Sequence, residues 1–544
     1  MQQSKKILKN KYYLYQTEFF AGMGIMAVEL GASRLMAPYF SSSQIVWTII
    51  ISTIMIAMAL GNLYGGRSAD RDPDPDKLYR RLLIAAVWIA AIPVVGKYII
   101  LGITGILIVT ISQNLLTIAG FIACIVIFVF PCFLLGTVTP SLTKYALIAG
   151  EDGALSESGS IVGKLGAANT IGSIIGTFTP TFITIPAVGT AVTFLIFSGI
   201  ILIISLIYFI SCRTHKVACV IACVLFVVCS ILGAGSHFAF WERSLTYEGE
   251  SIYNYLQVRE DGEEIILSTN VMFGVQSVTR KDNALSGMYY DYAMAAPLMA
   301  GSVKNDGRPR VLILGNGSGT YARQCLRYFP ESDITAVEID QAITDLAYKY
   351  FDMPQEVKVT TYDGRAYLQT DDKTYDVIMV DAYQDISIPF QMASVEFFTL
   401  VREHLNKGGV MVVNMNMRAS APDSINDYLT DTIASVFPHV ATIDVEGYTN
   451  RELFASEAEF NKTFDQQTAQ LSDRELTALM QKISQQMTVY EASDTIKAKR
   501  ILTDDRAPVE MLSMRAIDEI IAGELAYYKQ VFKEEGLSGL MDTL

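Results

Sequence analysis

At 544 residues and 51% apolar side chains, the chain is too long for one compact domain and too apolar for an all-soluble one. Residues 1–240 hold 15 Lys/Arg against 9 Asp/Glu, so a basic half of net +6 precedes 304 residues that carry −20, for a total of −14. Four histidines in the whole chain and a single cysteine beyond residue 240, Cys325, exclude an internal disulfide in the second half and argue against a metal or histidine-based site. So acidic a half is expected to bind no nucleic acid, and its field suits a cation such as a polyamine.

The apolar segment after Lys5, Lys6, Lys9 and Lys11 runs too long, and lacks the small-residue cleavage site, for a removable leader. It is expected as the first of seven membrane helices, at roughly 15–38, 44–66, 82–104, 115–137, 166–188, 190–211 and 217–235. The Lys and Arg residues beside them (the N-terminus; Arg67, Arg71, Lys77, Arg80 and Arg81; Lys144 and Lys164; Arg213 and Lys216) all fall on one side. That pattern predicts a multi-pass protein of the cell membrane with a cytoplasmic N-terminus. Seven crossings put the acidic half outside the cytoplasm; an eighth would return it, and its side stays open. Glu29 and Arg34 are costly inside the first span and read either as a mutual ion pair that fixes helix packing or as a polar site for a lipid head group. Small residues recur through Asn169–Gly176, which suits close helix packing.

After Trp241 the pattern changes to short alternating runs around Ser251–Val258, Glu264–Leu267 and Gln276–Thr279, expected as a small antiparallel β-hairpin domain over 241–300. Strands are then expected at 310–314, 333–338, 357–361, 376–381, 409–415 and 440–444, with helices between most of them, including 341–351 and 393–405. This alternation predicts a mostly parallel, Rossmann-like nucleoside-binding domain over 301–455, followed by a helical extension over 456–544. Val311–Leu314 breaks into Gly315-Asn316-Gly317-Ser318-Gly319 and continues at helical spacing. The next strand ends on acids, Glu338 and Asp340, about 20 residues on, where a nucleoside-binding unit keeps its ribose-binding carboxylate. Asp363-Gly364-Arg365 and Asp381 stand at the following strand ends. A strand-end cap for Glu338 and a turn-forming role for Asp381 are the structural alternatives.

Together these strand-end residues resemble the spermidine synthase (polyamine aminopropyltransferase) family over about 242–420. Glu29–Pro38, Gly65–Asp70 and Leu502–Glu510 resemble the membrane-fused branch of that family. The resemblance implies a multi-span α-helical membrane domain, a small antiparallel β-hairpin domain and an α/β methyltransferase-like (Rossmann) domain. It implies a thioadenosine nucleoside as ligand: decarboxylated S-adenosylmethionine, S-adenosylmethionine or methylthioadenosine. Gly315, Gly317, Ser318, Asp340 and Gly364 would cradle it, Glu338 would hold the ribose hydroxyls, Asp363 the adenine amino group, and Gln276 would line the thioether end. Asp381 would take the proton of the attacking nucleophile, with Tyr290 and Asp291 beside it. Tyr383 and Gln384 would line the acceptor side, and Glu29 with Arg34 a lipid-facing one.

The departures are specific. Ser318 stands where the family carries an acid for the aminopropyl ammonium, Gln384 where it carries a second amine-binding acid, and Tyr289-Tyr290-Asp291 lacks the family's imidazole. Three readings follow: aminopropyl transfer to a small-molecule amine, chemistry on a membrane-lipid head group with the nucleoside as donor or fixed cofactor, and a nucleoside sensor or transporter. The soluble relatives imply an even assembly, a homodimer at its simplest.

Overall fold

The computed structural model describes residues 10–111, 113–149, 158–242, 244–271, 275–301, 308–382, 388–419, 421–491 and 497–543. The apolar runs of the first half form helices α1 (Lys11–Phe40), α2 (Gln44–Arg71) and α3 (Pro75–Thr110). Then α4 (Leu115–Cys124), α5 (Phe130–Gly136) and α6 (Val138–Ala149) follow almost end to end, before α7 (Ser158–Thr179), α8 (Ile185–Cys212) and α9 (Lys216–Ala234). Asn10, Ser43 and Asp74 start the first three helices by accepting the N–H of Tyr12, Val46 and Asp76.

Among the described residues, six helical stretches are long and apolar enough to cross a membrane, and one of them, Ser158–Cys212, is 55 residues long. Gly189 breaks that stretch with φ +78° and ψ +169°. This break falls between the spans expected at 166–188 and 190–211. The small-residue run packs α7 on α1 so closely that a Cβ on Gly172 would lie 1.9 Å from the Phe19 carbonyl oxygen.

The two ends of the bundle differ. At the end that holds the N-terminus, Tyr13 donates to the Ile204 carbonyl (2.7 Å), Tyr145 to that of Asp74 (3.1 Å), and Lys144 pairs with Asp70 (2.9 Å). At the other end, Pro38 accepts from the Val271 N–H (2.9 Å), the Gln44 N–H donates to Glu510 (2.8 Å), and Thr190 donates to Glu250 through its N–H (2.7 Å) and hydroxyl (2.5 Å). The second half of the chain is therefore seated on the end opposite the basic loops.

That half begins with a four-stranded antiparallel sheet in the order β1 (Leu245–Glu250), β2 (Tyr255–Asp261), β3 (Glu264–Ser268), β4 (Ser277–Arg280). The strand expected over 251–258 is instead split by a turn closed by the Ser251 N–H on the Asn254 carbonyl (2.8 Å). Short helices α10 (Tyr289–Ala293) and α11 (Ala295–Met299) lead to β5 (Arg310–Leu314), α12 (Thr320–Tyr328), β6 (Asp333–Glu338), α13 (Gln341–Tyr350), β7 (Lys358–Thr361), α14 (Gly364–Thr370), β8 (Tyr375–Val380), α15 (Val395–Glu403) and β9 (Leu405–Met415). Next come α16 (Ile425–Ala434), β10 (His439–Asp444), β11 (Arg451–Ser456), α17 (Asn461–Thr468), α18 (Arg474–Gln486), β12 (Thr488–Glu491) and α19 (Val509–Thr543).

The eight strands from β5 onward form one sheet in the order β12-β10-β11-β9-β8-β5-β6-β7. Its parallel part, β7 to β9, carries the fully buried runs Val311–Leu314, Val377–Val380 and Val410–Val413, as a sheet covered on both faces requires. Strands β10, β11 and β12 add antiparallel pairs. The stretch expected as a purely helical extension thus supplies an edge strand, β12. The Leu502–Glu510 motif braces the sheet's ligand end: Arg365 donates to both carboxylate oxygens of Asp504 (2.7 and 2.6 Å) and to the Gln391 carbonyl (2.8 Å).

Candidate active site

The amino end of β4, the carboxyl ends of β5, β6 and β8 and the N-terminus of α14 enclose a cavity of about 180 Å³, lined by Gln276, Gly315, Gly317, Glu338, Asp363, Gly364 and Asp381 among others. The glycine turn makes this approach possible. Gly315 has φ +88°, and a Cβ there would lie 2.4 Å from the Asp381 carbonyl oxygen, so the end of β5 can lie against the end of β8 only with glycine at that position.

Glu338 is buried at the end of β6. One carboxylate oxygen accepts the Gly317 N–H (3.0 Å) and the other the Asp340 N–H (3.1 Å). Burial pushes its pKa up, and these two backbone donors oppose the rise. Each oxygen keeps a second lone pair for a ligand hydroxyl, so capping and ligand binding coexist in one carboxylate. Asp363 accepts the Ala366 N–H (2.8 Å) as the N-cap of α14 and lines the cavity beside Gly364.

Asp340 stands apart from these. Its carboxylate accepts from Ser251 (2.5 Å), Asn254 (3.0 Å) and the Ala342 N–H (3.1 Å), and it fastens the β1–β2 turn to the larger sheet rather than facing the cavity. Ser318 is buried below the turn. Its hydroxyl meets that of Thr320 (2.9 Å), which in turn bonds Thr279 and donates to the Val278 carbonyl (2.8 Å). The position where an acid would hold an ammonium is thus a closed hydroxyl chain under β4.

Asp381 follows β8 at the cavity floor. Tyr289 donates to one carboxylate oxygen (2.6 Å) and Asn414 to the other (2.8 Å), and Asn450 in turn donates to Asn414 (2.9 Å). Burial raises the Asp381 pKa to about 7 against the two hydrogen bonds, and the Glu338 charge adds to the rise. A carboxylate in this state is a base matched to neutral pH.

The aromatic beside it is Tyr289, not Tyr290. The two rings lie 4.0 Å apart, and the Tyr290 hydroxyl accepts the Val278 N–H (3.2 Å). Asp291 also turns away from the cavity. It is fully buried and takes the Gly287 N–H (2.6 Å), the Gln324 amide (2.5 Å) and the Ser286 hydroxyl (3.3 Å), with its pKa raised to about 6 by burial. The helical reading of Tyr289–Ala293 carries the reason, because consecutive helical residues face different directions and only one of this trio can reach Asp381.

Sequence reasoning missed Tyr289, Asn414 and Asn450. The one available signal was a polar residue, Asn414, at the end of an otherwise apolar strand. Tyr383 and Gln384 lie outside the described residues. Arg34 reaches the β1–β2 turn and donates to the Ile252 carbonyl, whereas Glu29 lies toward Cys132 of α5; among the described residues no ion pair joins the two. Among the described residues no group of three or more His, Cys, Asp or Glu side chains could hold a metal ion.

Comparison with known proteins gives three findings. A family model described as spermine/spermidine synthase domain matches residues 291–449. Over 352 residues the chain is 54% identical to a probable polyamine aminopropyl transferase of Bifidobacterium longum, covering 62% of this chain and 77% of that one. It is 26% identical over 298 residues to a polyamine aminopropyltransferase of Vibrio vulnificus, covering 53% and 96%. Among solved structures, a probable spermidine synthase from Corynebacterium glutamicum aligns at 21% identity and a TM-score of 0.36, over 46% of this chain and 94% of that one.

Proposed function

Because the chain belongs to the polyamine aminopropyltransferase family, whose members are transferases, we propose that it transfers an aminopropyl-type group from a decarboxylated S-adenosylmethionine-like donor to an amine, with Asp381 as the base. The observation that carries this reading is the Asp381 carboxylate, held by Tyr289 and Asn414 on the floor of a cavity that also presents Glu338, Asp363 and Gln276. In this reading Glu338 accepts hydrogen bonds from the ribose hydroxyls, Asp363 faces the adenine amino group and Gln276 the thioether end. The amine nitrogen attacks the propyl carbon next to the sulfonium, the carbon–sulfur bond breaks, and methylthioadenosine leaves. Asp381 takes the proton that the nitrogen sheds. None of these residue roles requires a metal.

The test is to incubate the purified full chain with decarboxylated S-adenosylmethionine and putrescine. Methylthioadenosine and aminopropylated product should form in equal amounts; a tightly held nucleoside with no turnover would instead favour its being a fixed cofactor. Glu338→Ala is expected to weaken methylthioadenosine binding about ten- to hundredfold by calorimetry, the loss of a charged partner to hydroxyl donors. Unchanged affinity would remove Glu338 from the ribose site.

The helical half is proposed to cross the membrane seven times, with the basic loops in the cytoplasm. What supports this is the seating of the catalytic half on the end opposite Lys144 and Asp70. A periplasmic-type reporter fused to the C-terminus should then be active, and activity of a cytoplasmic reporter at the same place would reverse the orientation.

A further inference from the structure

A second cavity of about 190 Å³ lies where the bundle meets the small sheet, lined by Ser33, Arg34 and Ala37 of α1, Trp47 of α2, Glu250 of β1 and the residues of the β1–β2 turn. It shares Tyr253, Asn254 and Thr269 with the cavity that holds Asp381. The two are therefore neighbouring chambers with a common wall.

Three features define what this chamber suits. The first is charge. Among the described residues the Arg34 guanidinium is bonded to the Ile252 carbonyl, which uses one of its N–H groups and leaves a donor fork for an anion. The Glu250 and Asp340 carboxylates lie close by; the first accepts from Thr190 and the second from Ser251 and Asn254. A free polyamine, positive along its length, meets a guanidinium here; a head group with both a phosphate and an amine meets complementary charge.

The second is position. Trp47 stands in the first turns of α2, at the bundle end where a membrane-crossing helix meets water, and indole rings favour that level. The third is a path. Ile51 and Met55 follow Trp47 at intervals of four, so the three share one face of α2, and both are exposed, Met55 at 62%. Ile252 and Tyr253 of the turn are exposed above them. An acyl chain lying along that face brings its head group to Arg34.

Building on the aminopropyl-transfer reading above, we propose that this chamber seats the head group of a membrane phospholipid with a primary amine. Arg34 holds the phosphate, and the amine points past Tyr253, Asn254 and Thr269 toward Asp381. The reaction is the same substitution: the lipid nitrogen bonds to the propyl carbon, the carbon–sulfur bond breaks, methylthioadenosine leaves, and Asp381 takes the proton. The closed Ser318–Thr320–Thr279 hydroxyl chain fits an acceptor that is not recognised as a polycation.

The experiment places the full chain in nanodiscs of phosphatidylglycerol with or without phosphatidylethanolamine, adds decarboxylated S-adenosylmethionine and putrescine, and identifies lipid and amine products by mass spectrometry. The expected result is phosphatidylethanolamine carrying one added aminopropyl group. Arg34→Ala should slow its formation about tenfold or more through a raised lipid KM, with methylthioadenosine affinity unchanged as the sign of an intact fold, and Arg34→Lys should recover part of the loss. Consumption of added putrescine with all lipids unaltered overturns the lipid site and leaves aminopropyl transfer standing. Bound nucleoside with neither acceptor consumed overturns both. An Arg34→Ala variant that modifies lipid at the full rate overturns the role of Arg34.

Discussion

Asp381→Asn should lower turnover by about 10²–10⁴-fold, the range spanned by loss of a positioned general base, while methylthioadenosine binding stays within a few fold. The asparagine amide keeps the shape of the carboxylate and can still meet Tyr289, but it cannot accept a proton. The pH dependence separates this role from a structural one. With a pKa raised to about 7 by burial, Asp381 is protonated and inactive below neutrality, so kcat/KM should rise with pH and level off above about 8. Tyr289→Phe removes one of the two hydrogen bonds that favour the charged carboxylate. The rising limb should then move to higher pH by about one to two units, equivalent to a charge-assisted bond of about 1.5–3 kcal/mol. The Tyr289→Phe enzyme should thus lose most activity at pH 6 and little at pH 9. A rate that falls equally at both pH values would mean that Tyr289 serves packing, and full activity in Asp381→Asn would remove the proposed base.

Glu452→Gln should make the protein more stable, an unusual outcome for a change in a fully buried residue. Glu452 lies on β11 directly opposite Asn414 of β9, one strand beyond the residue that holds Asp381. Its side chain is 0% exposed and, among the described residues, neither carboxylate oxygen has a hydrogen-bond partner. Burial raises its pKa well above the ordinary value, and the Asp381 charge raises it further. The native protein therefore keeps a proton on Glu452 that the unfolded chain releases once the pH passes the ordinary glutamate range. Stability from this residue is complete in acid and declines as the pH rises toward the folded pKa. Glutamine needs no such proton, so the gain in melting temperature should be small near pH 5 and grow toward pH 8. The gain should grow by about 1.4 kcal/mol per pH unit between the ordinary glutamate range and the folded pKa. Differential scanning fluorimetry of both proteins at the two pH values measures it, and a gap independent of pH would show that Glu452 is not protonated in the folded state.

What could be read in advance followed the range of the forces involved. Hydropathy located the long apolar helices of the first half, because a helix satisfies its own backbone and depends little on neighbours. The central parallel strands β5, β8 and β9 were legible for a similar reason: a strand covered on both faces is apolar through its buried run, as Val377–Val380 is. Strand β11 was not, since it opens on two charged residues, Arg451-Glu452, and is buried only because β9 and β10 flank it. At the site, the residues fixed by the glycine turn and strand ends (Gly315, Glu338, Asp363 and Asp381) gather as expected. The partners of Asp381 come from segments 92 and 33 residues away, and no local pattern carries that information. The hydrogen bond to Asp381 comes from Tyr289, one helical position before Tyr290.

The seam between the two halves also governs how the catalytic half behaves alone. Strand β1 pairs with β2 on one side only, so its other backbone edge is open in the small sheet. In the full chain that flank is occupied: Glu248 takes the N–H groups of Phe238 (2.9 Å) and Ala239 (3.0 Å), and Glu250 is held by Thr190 of α8. Cut free near residue 240, the half would present β1 as an unguarded template for strands of other molecules. The helical bundle thus acts as a built-in guard against aggregation, and a soluble fragment would need charges or a proline engineered into β1 to stay monomeric.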